Sequence, residues 1–259
     1  MTYTIEEKNL ERQHLLAQFL EPLTLCALQN ISLKKGSQIL DLGCGFGDTT
    51  LMLSQRFPET YLTGIDMDAA LIDAAIAEKK SQNANLDFVC GDALHLPFED
   101  SSFDFVFCRY LLLHIPGAFA AMEEMKRVCK PGGIVFAQEY DTNFFQSYPE
   151  SDAYPKFEEI TSTLFADTHF GRKMIHYFKK LALKNIAHDA QVILADHKSV
   201  LKKLLVMTAK ALDKAILGKK LLTQKQLDNW IKEMEMIERN EDAIVLTHPI
   251  IAVWGTKAE

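Results

Sequence analysis

The stretch ILDLGCGFGDTT, residues 39–50, passes from an apolar run through Gly43, Gly45 and Gly47 into the polar start of a helix. Ligands of open parallel sheets bind outside the carboxyl ends of the strands, where such passages lie. Glycine lets the backbone turn tightly and approach a ligand that a Cβ would hold away. The helix start adds N–H groups without intrahelical partners. The spacing argues against two ligands. A dinucleotide fingerprint needs Gly-x-Gly-x-x-Gly, which calls for glycine at position 48, and the residue there is Asp48. A phosphate-gripping loop ends in Gly-Lys-Ser/Thr, and 43–50 holds no such ending. The loop therefore reads as a site for a ligand other than a phosphate.

Outward from this loop, short apolar runs alternate with amphipathic segments. Strands are expected at 37–42, 60–66, 86–92, 103–109 and 132–140, and helices at 47–57, 68–82 and 117–130. Near-continuous apolar runs of this length suit parallel strands buried on both faces. Their alternation with helices gives right-handed crossovers and a doubly wound, mostly parallel α/β sheet. Residues 8–30 read as an amphipathic helix that Pro22 kinks or divides. Beyond Asp141 the rhythm loosens: 155–183 and 198–240 are helical, 190–196 is a candidate strand, and 243–256 supplies closing strands. Pro249 fits an edge or a bend there. One domain results, with a helical cap (1–30), a core (31–141), a helical substrate or cap region (142–240) and a closing segment (241–259).

Composition bounds the function. The 259 residues are 48% hydrophobic and 24% charged, with net charge −7, an ordinary globular balance. No charge-free apolar run reaches the ~18 residues of a membrane span, and the acidic start MTYTIEEKNLE reads as no secretory signal. The five cysteines form no Cys-x-x-Cys pair, which points to reduced thiols in a cytoplasm and to no metal site. Residues 169–225 carry 13 Lys+Arg against 3 Asp, a charge of +10 that leaves −17 for the rest. An acidic body is a poor nucleic-acid partner. The basic stretch is either a surface for an anionic partner, substrate or membrane, or a set of solvated helix faces.

Three aspartates end the first three strands. Asp41 suits an ammonium or sulfonium group. Asp66 stands 19 residues after Gly47, where a carboxylate can accept from both hydroxyls of a ribose. Met67 can pack on a flat base. Asp92 can accept from an exocyclic amine while the Ala93 N–H donates to a ring nitrogen. Each alone is equally a helix N-cap; three in register with the glycine loop read as a set for an amino acid, a ribose and an adenine.

The stretches ILDLGCGFGD, TGIDMD, FVCGDALHLPF, SSFDFVFCRYLLLHI and MKRVCKPGGIVFAQEYD, together spanning about residues 33–141, resemble the class I S-adenosylmethionine-dependent methyltransferases. The resemblance is to the small-molecule branch typified by ubiquinone- and menaquinone-biosynthesis methyltransferases. LERQHLLAQFLEPLT, FGRKM and PIIAVWGTK are similar to segments of uncharacterised bacterial members. The resemblance implies a seven-stranded Rossmann-like sheet and S-adenosylmethionine as cofactor, with S-adenosylhomocysteine as product. It would place Asp41, Gly43, Cys44, Gly45 and Gly47 on the methionine part, Asp66 on the ribose, and Met67, Asp92 and Ala93 on the adenine. Cys108 and Arg109 would hold the amino acid end, and Arg12 would reach the cofactor carboxylate. No Asn/Asp-Pro-Pro-aromatic tetrad appears, and the fourth strand ends Cys108-Arg109-Tyr110 rather than Pro-Cys, so base methylation is not expected.

Methyl transfer from a sulfonium is a direct displacement, for which alignment can supply ~7–11 kcal/mol. Tyr110, His114, Glu139, Tyr140 and Asp141 follow the fourth and fifth strands, where an acceptor would sit. Each is equally a wall or bracing residue, so no catalytic base is assigned. Phe144, Phe145, Tyr148 and Phe165 are candidates for an apolar acceptor pocket or for a helical core. The leading reading is a small-molecule methyltransferase. The rivals are a protein or peptide methyltransferase and a cofactor-binding regulator without turnover.

Overall fold

The structure is a computed structural model that describes residues 7–79, 85–142 and 145–259. In chain order its elements are α1 (Glu7–Ala27), β1 (Gln38–Leu42), α2 (Asp48–Arg56), β2 (Tyr61–Asp66), α3 (Ala69–Lys79), β3 (Leu86–Cys90) and β4 (Phe103–Arg109). Then come α4 (Ala118–Val128), β5 (Cys129–Tyr140), β6 (Gln146–Tyr148), α5 (Ala153–Leu164), α6 (Phe170–Lys180), β7 (Lys184–Gln191) and β8 (Leu194–Ala195). The chain closes with α7 (Leu201–Ala211), α8 (Asp213–Gly218), α9 (Gln224–Arg239), β9 (Ile244–Leu246) and β10 (Ile250–Thr256).

Seven strands form one sheet in the order β3-β2-β1-β4-β5-β10-β7. The β1–β5 pairs are parallel and β10 runs antiparallel to both neighbours. The alternation of side chains along β4 explains why its run is apolar throughout. Val106 and Cys108 enter the layer shared with α4 and α6, while Phe105 and Phe107 enter the opposite layer with α2 and α3. Phe107 stacks on Phe136 of β5 at 4.9 Å between centroids. A strand buried on both faces has no polar side to show.

Several expectations need correction. Pro22 lies inside α1 without dividing it. The sixth strand of the large sheet along the chain is 184–191 rather than 190–196; of the latter, 190–191 end β7 and 194–195 pair in a separate sheet. The sequence KNIAHDAQ hides its strand because β7 is an edge with mostly partly exposed side chains, so burial imposes no apolar run. The 155–183 segment divides into α5 and α6, and 198–240 into α7, α8 and α9. The closing segment serves two sheets, with β9 in the small one and β10 in the large one. Pro249 lies in the bend between them. The expected helix end at 80–82 lies outside the described residues.

The small sheet, β6-β9-β8, joins α5, α7 and α9 around a third core of Phe145, Tyr154, Phe157, Ala195, Trp230 and Val245. This cap sits beside the carboxyl end of β5 because β6 follows β5 and β9 precedes β10. Part of the basic stretch is engaged within the chain. Arg172 pairs with Asp141, Lys173 with Asp167, Lys203 with Glu11 and Lys210 with Glu235. Lys202 is buried, and its ammonium donates to the Asn240 and Ala243 carbonyls at 2.9 and 3.1 Å. Lys202→Met keeps the packed stem but removes both donors, so a loss of about 1 kcal/mol is expected in urea denaturation. Unchanged stability would show that these bonds add nothing net.

Candidate functional site

At the carboxyl end of β1 the chain turns through Gly43 (φ 76°) and Gly45 (φ 53°) to Gly47, which caps α2. Gly43 and Cys44 donate their N–H groups to the Ile65 carbonyl at 2.8 and 3.0 Å, tying the loop to β2. A Cβ on Gly43 would lie 2.9 Å from Leu111, whereas one on Gly45 would meet nothing within 4 Å. The first glycine is needed for packing, and the second leaves the loop's backbone open on one side. Asp66, at the end of β2, accepts from Gly45 N–H on one carboxylate oxygen and from Asp68 N–H on the other, both at 3.0 Å. Each oxygen keeps a further lone pair. Met67 is 74% exposed beside it, an apolar side chain left uncovered next to a carboxylate. Asp92, 53% exposed, accepts from the Leu94 N–H at 2.9 Å, and Ala93 lies between them against the core. Loop, Asp66, Met67, Asp92 and Ala93 thus line successive strand ends.

Asp41 lies beneath the loop rather than at its surface. It is 1% exposed and accepts from the Thr50 hydroxyl at 2.7 Å. Burial raises its pKa to about 6, against the opposing pull of Thr50 and Arg109. Arg109 is the guanidinium joined to the loop helix. It donates to Thr49 at 2.5 Å and to Thr24 of α1 at 3.0 Å, and Thr24 donates on to Gln138 of β5 at 2.7 Å. Burial lowers the Arg109 pKa and Asp41 opposes that. Cys44 and Cys108 are buried, and desolvation pushes both thiols well up. The Cys108 side chain points into the α4–α6 layer, so only its backbone can serve a ligand.

Sequence reasoning missed His14. Its Nδ1 meets the Asp48 carboxylate at 2.7 Å, and its ring lies 6.0 Å from that of Phe46. With Gln18, Glu21, Gln55 and Arg109 it lines a cavity of about 260 Å³ between α1 and α2. The available signal was the polar stripe His14–Gln18–Glu21 on a helix read for its apolar face. Arg12, expected at a cofactor carboxylate, lies close enough to His114 for its charge to lower that ring's pKa.

At the ends of β4 and β5, Tyr110 adopts a left-handed φ of 54° and its N–H reaches the Gln138 carbonyl at 3.0 Å. A tyrosine in that region is strained, and Glu139 holds the turn. One Glu139 oxygen accepts from the N–H groups of Leu111 and Leu112 at 3.0 and 2.7 Å, while the other is buried without a partner. Burial pushes the Glu139 pKa up to about 8 despite these bonds. Burial and then Glu139 raise the Tyr110 pKa. The Tyr110 ring meets Tyr140 edge-on at 5.1 Å, and Tyr140 stacks on His248 at 4.6 Å. His114 meets Phe165 at 4.6 Å; surrounding protein and then Arg12 push its pKa to about 4, although the residue is open to solvent on one side. The Asp141 carboxylate is taken by Arg172, through both its backbone N–H and its guanidinium.

The aromatic candidates separate. Phe145 joins the wall through His248 at 4.3 Å, and Phe165 joins through His114. Tyr148 is 70% exposed on β6 and belongs to no wall. Phe144 lies outside the described residues. Among the described residues no cluster of His, Cys, Asp and Glu could hold a metal ion, and no helix is long and apolar enough to cross a membrane.

Residues 39–133 match the family described as methyltransferase domain. The demethylmenaquinone methyltransferase of Staphylococcus aureus is 40% identical over 113 residues, 43% of this chain and 46% of the relative. The chain thus matches just under half the length of that relative. Among solved structures, phosphoethanolamine N-methyltransferase 2 of Haemonchus contortus, in complex with phosphomonomethylethanolamine and S-adenosylhomocysteine, superposes with TM-score 0.62 at 18% identity, covering 96% of this chain and 58% of that one. A methyltransferase-like protein of Bacillus halodurans superposes with TM-score 0.63 at 16% identity, covering 93% of this chain and 100% of that one. At these identities the structural likeness establishes the fold.

Proposed function

We propose that this chain, whose residues 39–133 are a methyltransferase domain, transfers a methyl group from S-adenosylmethionine to a small-molecule acceptor. The observation that carries this reading is the Asp66 carboxylate, which bridges Gly45 and Asp68 beside an uncovered Met67. A ribose hydroxyl pair fits the free lone pairs of Asp66, an adenine face fits Met67, and its edge fits Asp92 with Ala93. The backbone left open at Gly45 and the guanidinium of Arg109 fit the amino acid end. Asp41 supports this end from below, balancing Arg109 and anchoring α2 through Thr50, instead of touching the ligand. S-adenosylmethionine supplies, when bound, an electrophilic methyl group on a sulfonium.

The chain's own contribution is orientation. The acceptor lies over β4 and β5, walled by Tyr110, Tyr140 and His114. Glu139 fixes that wall by holding the Leu111 and Leu112 amides. Cys44 and Cys108 are buried with thiols pushed well up by desolvation, which disfavours either as a nucleophile. The S. aureus relative acts on a menaquinone precursor, by its name, which supports a small acceptor here. Incubation with methyl-labelled S-adenosylmethionine and separate pools of phenols and quinols, amines, carboxylic acids and peptides tests the reading by mass spectrometry. Labelled product in a small-molecule pool is expected. Label only in peptides would establish the polypeptide alternative, and cofactor binding without label in any pool would favour the regulator.

A further inference from the structure

The cavity of about 260 Å³ between α1 and α2 has polar walls and a charged floor. His14, Gln18 and Glu21 line it from α1, at the four- and three-residue steps that place side chains on one helix face. Asp48 and Gln55 line it from α2, two turns apart on the facing side. Arg109, the last residue of β4, completes the lining.

The charges in this cavity are unequally engaged. Asp48 is held by His14 at 2.7 Å. Glu21 is partly buried, and among the described residues it makes neither a hydrogen bond nor an ion pair. Its charge nevertheless reaches Arg109. A guanidinium has five N–H donors in a planar fork. Arg109, also partly buried, gives one to Thr24 and one to Thr49, which fix its plane. It is in no ion pair among the described residues. One cavity thus presents a carboxylate and a guanidinium that do not close on each other. A simple anion there would be repelled by Glu21, a simple cation by Arg109, and an apolar ligand would desolvate both. A ligand with an ammonium and a carboxylate on one carbon offers each its complement through charge-assisted hydrogen bonds.

We propose that the α1–α2 cavity binds an α-amino acid zwitterion, with its carboxylate on Arg109 and its ammonium on Glu21. Two sources supply that chemistry: the tail of S-adenosylmethionine and a free amino acid. The tail is the nearer one, because Thr49, which Arg109 binds, stands two residues past Gly47 and so ties the cavity floor to the glycine loop. In that form the inference rests on the cofactor reading and adds to it the residue that receives the ammonium. Glu21 binds and orients here, and no proton transfer is assigned to it.

The test is calorimetry on the full chain with three ligands: S-adenosylhomocysteine, its carboxypropyl analogue, which lacks only the ammonium, and L-methionine. Wild type is expected to bind S-adenosylhomocysteine at least about tenfold more tightly than the analogue, the scale of one charge-assisted hydrogen bond. Glu21→Gln should erase that difference by weakening S-adenosylhomocysteine alone, and Glu21→Asp should keep part of it. If the source is a free amino acid, Glu21→Gln leaves S-adenosylhomocysteine binding unchanged. L-methionine then binds wild type saturated with S-adenosylhomocysteine and does not bind the variant. Equal weakening of S-adenosylhomocysteine and its analogue in Glu21→Gln overturns the proposal, since a loosened α1 would not tell the two apart. A Glu21→Gln variant that binds all three ligands as wild type does overturns it as well. Circular dichroism checks that the variants fold. The two levels fail separately. If wild type binds L-methionine through Glu21 but no S-adenosylhomocysteine, the cofactor reading falls and the cavity stands. If wild type binds S-adenosylhomocysteine and Glu21→Gln changes nothing, only the role of the cavity falls.

Discussion

Replacing Asp66 by alanine lowers the affinity for S-adenosylhomocysteine by about 100-fold or more. A hydrogen bond to a charged group contributes about 1.5–3 kcal/mol, and the proposed reading has two ribose hydroxyls donating to this one carboxylate. Their joint loss is about 3 kcal/mol or more, and each 1.4 kcal/mol is tenfold in affinity. The same carboxylate also holds Gly45 and Asp68 by their N–H groups, so the variant loosens the loop that the amino acid end rests on. Both amides lie in the half-exposed strand-end turn and can be rehydrated, so fold stability should drop by only ~1 kcal/mol. Calorimetry alongside thermal melting separates the two effects. Affinity in Asp66→Ala within threefold of wild type would remove the ribose from this position.

Stability should also fall as the solution is made alkaline, and Glu139 is the cause. Its folded-state pKa is about 8, above the ordinary value of 4.5. The folded protein therefore holds a proton that the unfolded chain has already released. Where the unfolded state binds fewer protons, stability declines with rising pH. The decline starts near pH 4.5 and is complete just above pH 8. Each pKa unit is worth about 1.4 kcal/mol, so the interval from pH 6.5 to 8.5 should cost roughly 2 kcal/mol. Asp41 shifts in the same direction, to about 6, and completes its change below this interval. His114 and His248, both lowered to about 4, act oppositely and only below pH 6.5. Denaturant unfolding at pH 6.5 and 8.5 measures the difference, and Glu139→Gln should flatten it. An equal slope in that variant would assign the titration to another group.

The parts of the fold that could be read from sequence are those where burial dictates residue type. β1, β2, β4 and β5 are packed on both faces, and their apolar runs mark them. The glycine loop was readable for a different reason: the left-handed backbone at Gly43 and Gly45 admits few other residues. β7 was misplaced because an edge strand half open to solvent carries no such demand, while the apolar run AQVILAD only overlaps its end and continues into the small sheet. Pro22 remained within α1 because tertiary packing of Leu20, Thr24, Ala27 and Leu28 holds the helix on both sides of it.

For the candidate site, the position of the three aspartates at neighbouring strand ends was legible because the sheet brings its parallel strand ends to one edge. Their division of labour was not. That Asp41 is buried behind Arg109 while Asp66 faces the open loop depends on α1, whose Thr24 completes the Arg109 contacts. His14 escaped notice because α1, a segment distant in sequence, brings it to the glycine loop, and no local motif announces it.

The central claim is that the loop and the three strand ends hold an adenosyl amino acid rather than a dinucleotide. Calorimetric titration of the wild-type chain with S-adenosylhomocysteine, and in parallel with NAD, tests it directly. Micromolar binding of S-adenosylhomocysteine with no heat from NAD is the predicted result. Binding of NAD in preference, or of neither, would contradict the assignment of the loop and every residue role that depends on it.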